Sequence, residues 1–259
     1  MGKITGISWT DATWNPWYGC LKVSPGCKQC YMYRDMERYG RDPKAVTRAK
    51  PASFNGPLKW IEPQRVFTCS WSDFFIEHAD EWRDEAWDII RRTPHLTYQI
   101  LTKRPENIAY RLPGDWGEGW PNVWLGVSVE SPRYLWRTRQ LAEIPAMIRF
   151  ISYEPALEEV DFAPVFITDK YHWLISGGES GYNPRLANLD WFRAARKDCQ
   201  DYEIAYFHKQ HGGSHKIDGG WGGYLLDDIE WNQFPEVTTP VVTSQPILEE
   251  GQPKQGVLL

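Results

Sequence analysis

RVFTCSWSDFFIEHADEWRDEAWDIIRRTPHLTYQILTKR, residues 65–104, contains one full period of the pattern that decides the fold. A β-rich apolar run, Arg65–Phe75, is followed by a helix-length stretch, Asp80–Arg92, in which Trp82, Ala86, Ile89 and Ile90 fall near one helical face. A second β-rich run, Thr97–Thr102, follows. Further runs of the same kind occupy Val123–Val129, Ile148–Tyr153, His172–Ser176 and Glu203–His208. Helical stretches at Arg133–Ile144 and Asp190–Gln200 alternate with them, the latter opening with Asn188 or Asp190 as N-cap. With an initial strand near Ile7–Trp14 the chain holds about seven strand–helix units, which predicts an α/β fold and a partial or complete (β/α) barrel. A doubly wound open sheet is the alternative, because periodicity does not distinguish a closed sheet from an open one.

The 259 residues suit one large domain, expected over residues 1–236. From Val237 the sequence loses periodicity and gains Pro, Thr and Gln, so residues 237–259 read as a flexible C-terminal tail. His211–Gly223, HGGSHKIDGGWGG, reads as a mobile glycine-rich loop; its two histidines are the alternative, metal-binding reading. No apolar run approaches the roughly 20 residues of a membrane helix, and the opening MGKITGISWTDATW lacks a signal-peptide pattern. A cytoplasmic protein without a membrane partner is expected.

Net charge is −5, which argues against an indiscriminate nucleic-acid coat protein. Residues 21–65 nevertheless carry ten Lys or Arg against four Asp or Glu, a local +6 that reads either as a solvated face or as a phosphate-facing patch. The 15 tryptophans are many for this length and must serve both core and pockets.

Five cysteines, an odd number, argue against a disulfide framework. Three of them, Cys20, Cys27 and Cys30, follow the first strand in WNPWYGCLKVSPGCKQCYMYR, spaced C-x6-C-x2-C. Clustered thiolates suit one soft metal centre. A structural zinc site wants four protein ligands, and only three cysteines stand here. Cys69 falls in a predicted strand and Cys199 near a helix end, and both read as buried small hydrophobes. A cluster with one iron open to an outside ligand fits three cysteines; a zinc knuckle completed by a distant residue is the competing reading.

This segment resembles the radical S-adenosylmethionine (SAM) superfamily, and in particular a phage- and prophage-associated family beginning W-N-P-x-x-G-C-x6-C-x2-C-Y. The resemblance spans residues 8 to about 235. It implies a (β/α) barrel with a 4Fe-4S cluster on Cys20, Cys27 and Cys30 and SAM chelating the open iron. The chain departs from the usual C-x3-C-x2-C spacing and has Gln29, not an aromatic, before the third cysteine, with Tyr31 after it.

In a (β/α) barrel the C-terminal strand ends build the active site. Here they are polar in succession: Ser70, Ser72 and Asp73; Thr102, Lys103 and Arg104; Ser128 and Glu130; Ser152 and Glu154; Glu179; His208, Lys209 and Gln210. SAM needs an acceptor for its ammonium, a cation for its carboxylate and polar partners for its ribose. Asp73 or Ser72, Lys103 and Ser128 suit those tasks, with Glu130, Glu154 and Glu179 as further cofactor-binding candidates. The order of Ser72, Lys103 and Ser128 is also distantly similar to the SAM-binding groups of spore photoproduct lyase. No catalytic residue is assigned.

The resemblance implies a radical SAM enzyme that receives an electron from a donor such as flavodoxin or ferredoxin and abstracts a substrate hydrogen. The basic segment and the aromatics favour a nucleic-acid or nucleotide substrate, with peptide modification open. The alternatives are a non-enzymatic nucleic-acid-binding protein carrying zinc or a structural cluster, and a barrel that has lost its chemistry.

Overall fold

The computed structural model describes residues 5–236; the predicted tail, 237–259, lies outside them. Seven strands form one sheet: β1 (Ala12–Thr13), β2 (Gln64–Thr68), β3 (Leu96–Thr102), β4 (Val123–Ser128), β5 (Ile148–Tyr153), β6 (Trp173–Gly177) and β7 (Ala205–Gln210). Every neighbouring pair is parallel and the spatial order is the chain order. A doubly wound sheet reverses its order at a switch point, so sequential order selects the barrel-type topology. Among the described residues β1 and β7 are not paired to each other, which makes this a half-barrel. The backbone of residues 231–233 runs along the β7 edge instead, with His208 N–H donating to the Trp231 carbonyl at 2.8 Å and Gln233 N–H to the Tyr206 carbonyl at 3.1 Å. That pairing covers an otherwise open edge.

Helices α1 (Tyr31–Arg38), α2 (Asp80–Arg92), α3 (Trp136–Ala142) and α4 (Leu189–Asp201) lie in the crossovers. α2 buries Ala86, Trp87, Ile89 and Ile90 against the sheet face carrying Val66, Ile100 and Leu125. Asn188 caps α4, its side chain accepting from Asp190 N–H at 3.0 Å.

The other sheet face packs a second cluster: Trp9, Phe67, Trp124, Phe150, Trp173, Ile175 and Phe207. Trp9 lies 4.5 Å from the Phe67 ring on β2 and 6.1 Å from the Trp173 ring on β6. Strands four positions apart are about 19 Å distant on a flat sheet, so one indole meets both only because the sheet curls around it.

Some elements differ from the sequence reading. The first strand shrinks to Ala12–Thr13, because Ile7 and Trp9 fill the concave interior instead of pairing. The run from Arg65 leaves the sheet after Thr68, and Phe74 and Phe75 pack under α2 against Trp87. Arg133–Ile144 divides into a 3-10 turn, Pro132–Tyr134, and α3. The glycine-rich stretch contains an antiparallel hairpin, Lys216–Ile217 with Gly220–Trp221. It sits close to β6, where a Cβ on Gly178 would stand 1.9 Å from the His211 carbonyl oxygen. No helix among the described residues is long and apolar enough to cross a membrane.

Trp173 touches Trp9, Trp124, Phe150, Phe207 and Phe234. Trp173→Ala should therefore cost about 3–5 kcal/mol in urea unfolding. A loss below about 1 kcal/mol would show that this cluster does not support the sheet.

Candidate functional site

The cysteine segment begins where β1 ends. Trp17–Tyr18 pairs antiparallel with Thr47–Arg48, and the Trp17 indole N–H donates to the Asp73 carbonyl at 3.1 Å, holding this ribbon against the end of β2. Cys20 follows, then a 3-10 turn at Pro25–Cys27, and Cys30 is the residue before α1. The Tyr33 hydroxyl, one turn into α1, donates back to the Cys20 carbonyl.

Groups from three crossovers pin this loop. Arg104 Nη2 donates to the Leu21 carbonyl at 2.7 Å, and Gln29 Nε2 to the Asn183 carbonyl at 3.2 Å. Arg185 Nη2 donates to the Pro25 carbonyl at 2.9 Å while its Nε bonds Glu179 at 2.9 Å. Ser24 Oγ donates to Glu130 Oε1 at 2.6 Å. Residue 26 must be glycine here, because a Cβ would stand 2.5 Å from that same carboxylate oxygen.

All three cysteines open onto one cavity of about 710 Å³ over the C-terminal strand ends, a volume suited to a small-molecule or cofactor site. Of the residues proposed from sequence, Ser72, Asp73, Lys103, Ser128, Glu154 and Glu179 line it as well. Glu130 is the exception: it is fully buried behind the cysteine loop, held by Arg137 at 2.8 Å, Ser24 at 2.6 Å and Lys103 Nζ at 3.6 Å.

The remaining candidates differ in how much capacity they keep for a ligand. Asp73 accepts from Thr102 Oγ1 at 2.7 Å, Phe75 N–H at 2.9 Å, Lys103 N–H at 3.0 Å and Arg104 at 3.3 Å, so most of its lone pairs tie the ends of β2 and β3 together. Ser72 donates to the Gly19 carbonyl at 2.5 Å. Glu154 pairs with Lys209 at 2.5 Å, and Glu179 is clamped by Arg185. Ser128 lines the cavity, and its buried Oγ has no hydrogen-bond partner. His208, noted in sequence only as part of a strand end, and the hairpin's Lys216 and Trp221 also line the wall. Their place on the cavity wall singles these out, and residue spacing does not show it.

Burial, followed by the charge of Asp73, pushes the Cys20 thiol up to about 12, against the pull of Arg104, whose Nη1 lies 3.7 Å from Sγ. Burial also raises Cys30, partly offset by bonding to backbone N–H groups and by Lys103. Metal binding at either would release a proton. Cys69 and Cys199 are buried, and burial lifts both thiols well above the ordinary range.

Among the described residues no three His, Cys, Asp or Glu side chains converge into a group able to hold a single metal ion. A zinc ion would draw its thiolates to about 2.3 Å from one point. A multi-iron cluster makes a looser demand, because each cysteine binds a different iron. The donor set, three thiols on one wall with Arg104 and Lys103 beside them to offset thiolate charge, fits such a cluster.

The molecule is thus an α/β half-barrel with a three-cysteine loop over a cavity at its strand ends. Residues 4–235 match the model of a family described as a protein of unknown function (DUF5131), and the chain belongs to that family. No curated protein and no solved structure matches it.

Arg137 is 1% exposed and is the close cation of the fully buried Glu130. Arg137→Ala should destabilise the protein by about 3–5 kcal/mol in urea unfolding, because it removes the close cation of a buried carboxylate. A loss under about 1 kcal/mol would contradict the anchoring role.

Proposed function

We propose that this protein is an enzyme of the radical SAM type acting on a nucleic-acid or nucleotide substrate. The observation that carries this reading is that Cys20, Cys27 and Cys30 share one cavity with the polar ends of β2 to β7. In such an enzyme a 4Fe-4S cluster on the three cysteines, reduced by a donor such as flavodoxin or ferredoxin, supplies reductive cleavage of SAM and a carbon radical that takes a substrate hydrogen.

The protein's part is to bind, orient and charge-match. Cys20, Cys27 and Cys30 would hold the cluster on a loop fixed by Ser24, Arg104 and Arg185. Lys103, on the cavity wall with its Nζ 3.6 Å from Glu130, is the cation we assign to a ligand carboxylate. Ser128 Oγ offers an unmet hydrogen bond and Ser72 a second polar contact. Tyr31, Trp71, Trp221 and Trp231, with Lys22, Arg34 and Lys216, give the wall flat apolar faces next to cations. That combination suits a base joined to a phosphate.

Under anaerobic reconstitution the wild type should take up iron and sulfide, and Cys20→Ala, Cys27→Ala and Cys30→Ala should each abolish uptake, with Cys69→Ala and Cys199→Ala retaining it. Stoichiometric zinc without iron uptake would overturn the reading in favour of a zinc-bearing binding protein. A charge-assisted bond from Lys103 contributes about 1.5–3 kcal/mol. Lys103→Ala should therefore weaken SAM binding roughly ten- to hundredfold with the cluster intact; unchanged affinity would remove Lys103 from the site.

A further inference from the structure

The three cysteines differ in what stands behind their sulfur atoms. Cys27 Sγ lies 3.7 Å from Ser24 Oγ, but the one hydroxyl proton of Ser24 goes to Glu130. Cys30, the residue before α1, is approached by the backbone N–H groups of Met32 and Tyr33. Cys20 has a cation. Arg104 Nη1 donates to Cys20 Sγ at 3.7 Å, and among the described residues it is the charged side chain in hydrogen-bonding contact with one of these sulfurs.

The guanidinium is fixed there by its other contacts. Nη1 carries a second hydrogen, which goes to Asp73 Oδ2 at 3.3 Å, and Nη2 donates to the Leu21 carbonyl at 2.7 Å. The fork therefore spans Asp73 and the residue that follows Cys20. Arg104 is 4% exposed, and a guanidinium keeps its charge at any working pH. Asp73 offsets part of that charge; Glu77, 4.0 Å from Nε, is half exposed and acts through water. What remains is a buried N–H dipole and a fractional positive charge directed at the Cys20 sulfur, in surroundings that screen it weakly.

A 4Fe-4S cluster on three thiolates becomes more negative by one charge when it accepts an electron, with no bond made or broken. Hydrogen bonds to its sulfurs and a neighbouring cation stabilise that state over the oxidised one. We infer that Arg104 is a redox-tuning residue, which stabilises the reduced cluster through its bond to Cys20 and so raises the reduction potential. The inference rests on the cluster reading above. The two redox states differ by only part of a full charge-assisted bond, which corresponds to about tenfold in the redox equilibrium. For a one-electron couple that is about 59 mV.

The test uses full-length protein, reconstituted anaerobically and kept free of SAM, titrated with dithionite as the electron source while EPR follows the reduced cluster. Arg104→Gln keeps a neutral donor and loses the charge; its midpoint should fall about tenfold in equilibrium terms, with iron and sulfide content unchanged. Arg104→Lys keeps the charge without the fork, and its midpoint should lie between the other two. Wild type grown on 15N-arginine should show a guanidinium 15N coupling in pulsed EPR of the reduced cluster, a readout that stands if either variant fails to fold or to load. An unshifted Arg104→Gln midpoint, an Arg104→Lys midpoint at or below that of Arg104→Gln, or no 15N coupling would overturn the inference alone and leave Arg104 as a brace of the cysteine loop. Failure of wild type to take up iron and sulfide would overturn the cluster reading and this inference with it.

Discussion

Glu130 is a carboxylate with no exposure to solvent, and the geometry of the site depends on how its charge is met. Taking one carboxylate out of water costs several kcal/mol unless cations and donors surround it. Here Arg137, on α3 of the same crossover, supplies the cation at 2.8 Å, Ser24 supplies a hydroxyl at 2.6 Å and Lys103 stands at 3.6 Å. Ser24 belongs to the cysteine loop, Lys103 to the end of β3 and Arg137 to α3. One buried charge thus ties the three-cysteine loop, two strand ends and the helix layer into one arrangement. Gly26, with no room for a side chain against Glu130, is the steric counterpart of the same constraint. Glu130 was expected as a cofactor contact; its burial makes it a support for the loop.

The parallel, sequential sheet does the rest of the positioning. Because all seven strands run one way, their C-terminal ends emerge on one rim, and curling around Trp9 and Trp173 bends that rim over a single cavity. Part of the aromatic excess noted in the composition is explained by this filling: Trp9, Trp124 and Trp173 occupy the space that the concave sheet face would otherwise leave empty.

Much of this was legible in the sequence. Ile148–Tyr153 and Asp80–Arg92 were bounded as the structure has them, because a short β-branched or aromatic run and a one-faced helix announce themselves locally. The polar strand ends were legible as a series, since a residue at the end of an apolar run must leave the sheet face. What could not be read is which polar groups are already satisfied. Asp73 and Ser128 look alike as strand-end residues, yet Asp73 accepts from several internal donors and Ser128 Oγ has no partner. That difference depends largely on neighbours distant in sequence, Thr102 at 29 and Lys103 at 30 residues from Asp73. Trp9 was misplaced in a strand for a related reason: its side chain is stabilised by the curled interior, a tertiary effect invisible to periodicity. The glycines of the 211–223 stretch suggested mobility, and several of them serve close backbone approaches, as at Gly212 and Gly222.

In the function proposed above, the cysteine loop and the strand-end cavity would operate together to cleave SAM. The most direct measurement is to incubate anaerobically reconstituted full-length protein with SAM and a strong chemical reductant, and to assay for 5′-deoxyadenosine by mass spectrometry. The account predicts 5′-deoxyadenosine that depends on both reductant and SAM and is absent from the Cys20→Ala protein. A protein that holds its cluster and binds SAM, but forms no 5′-deoxyadenosine above the Cys20→Ala background, would contradict it.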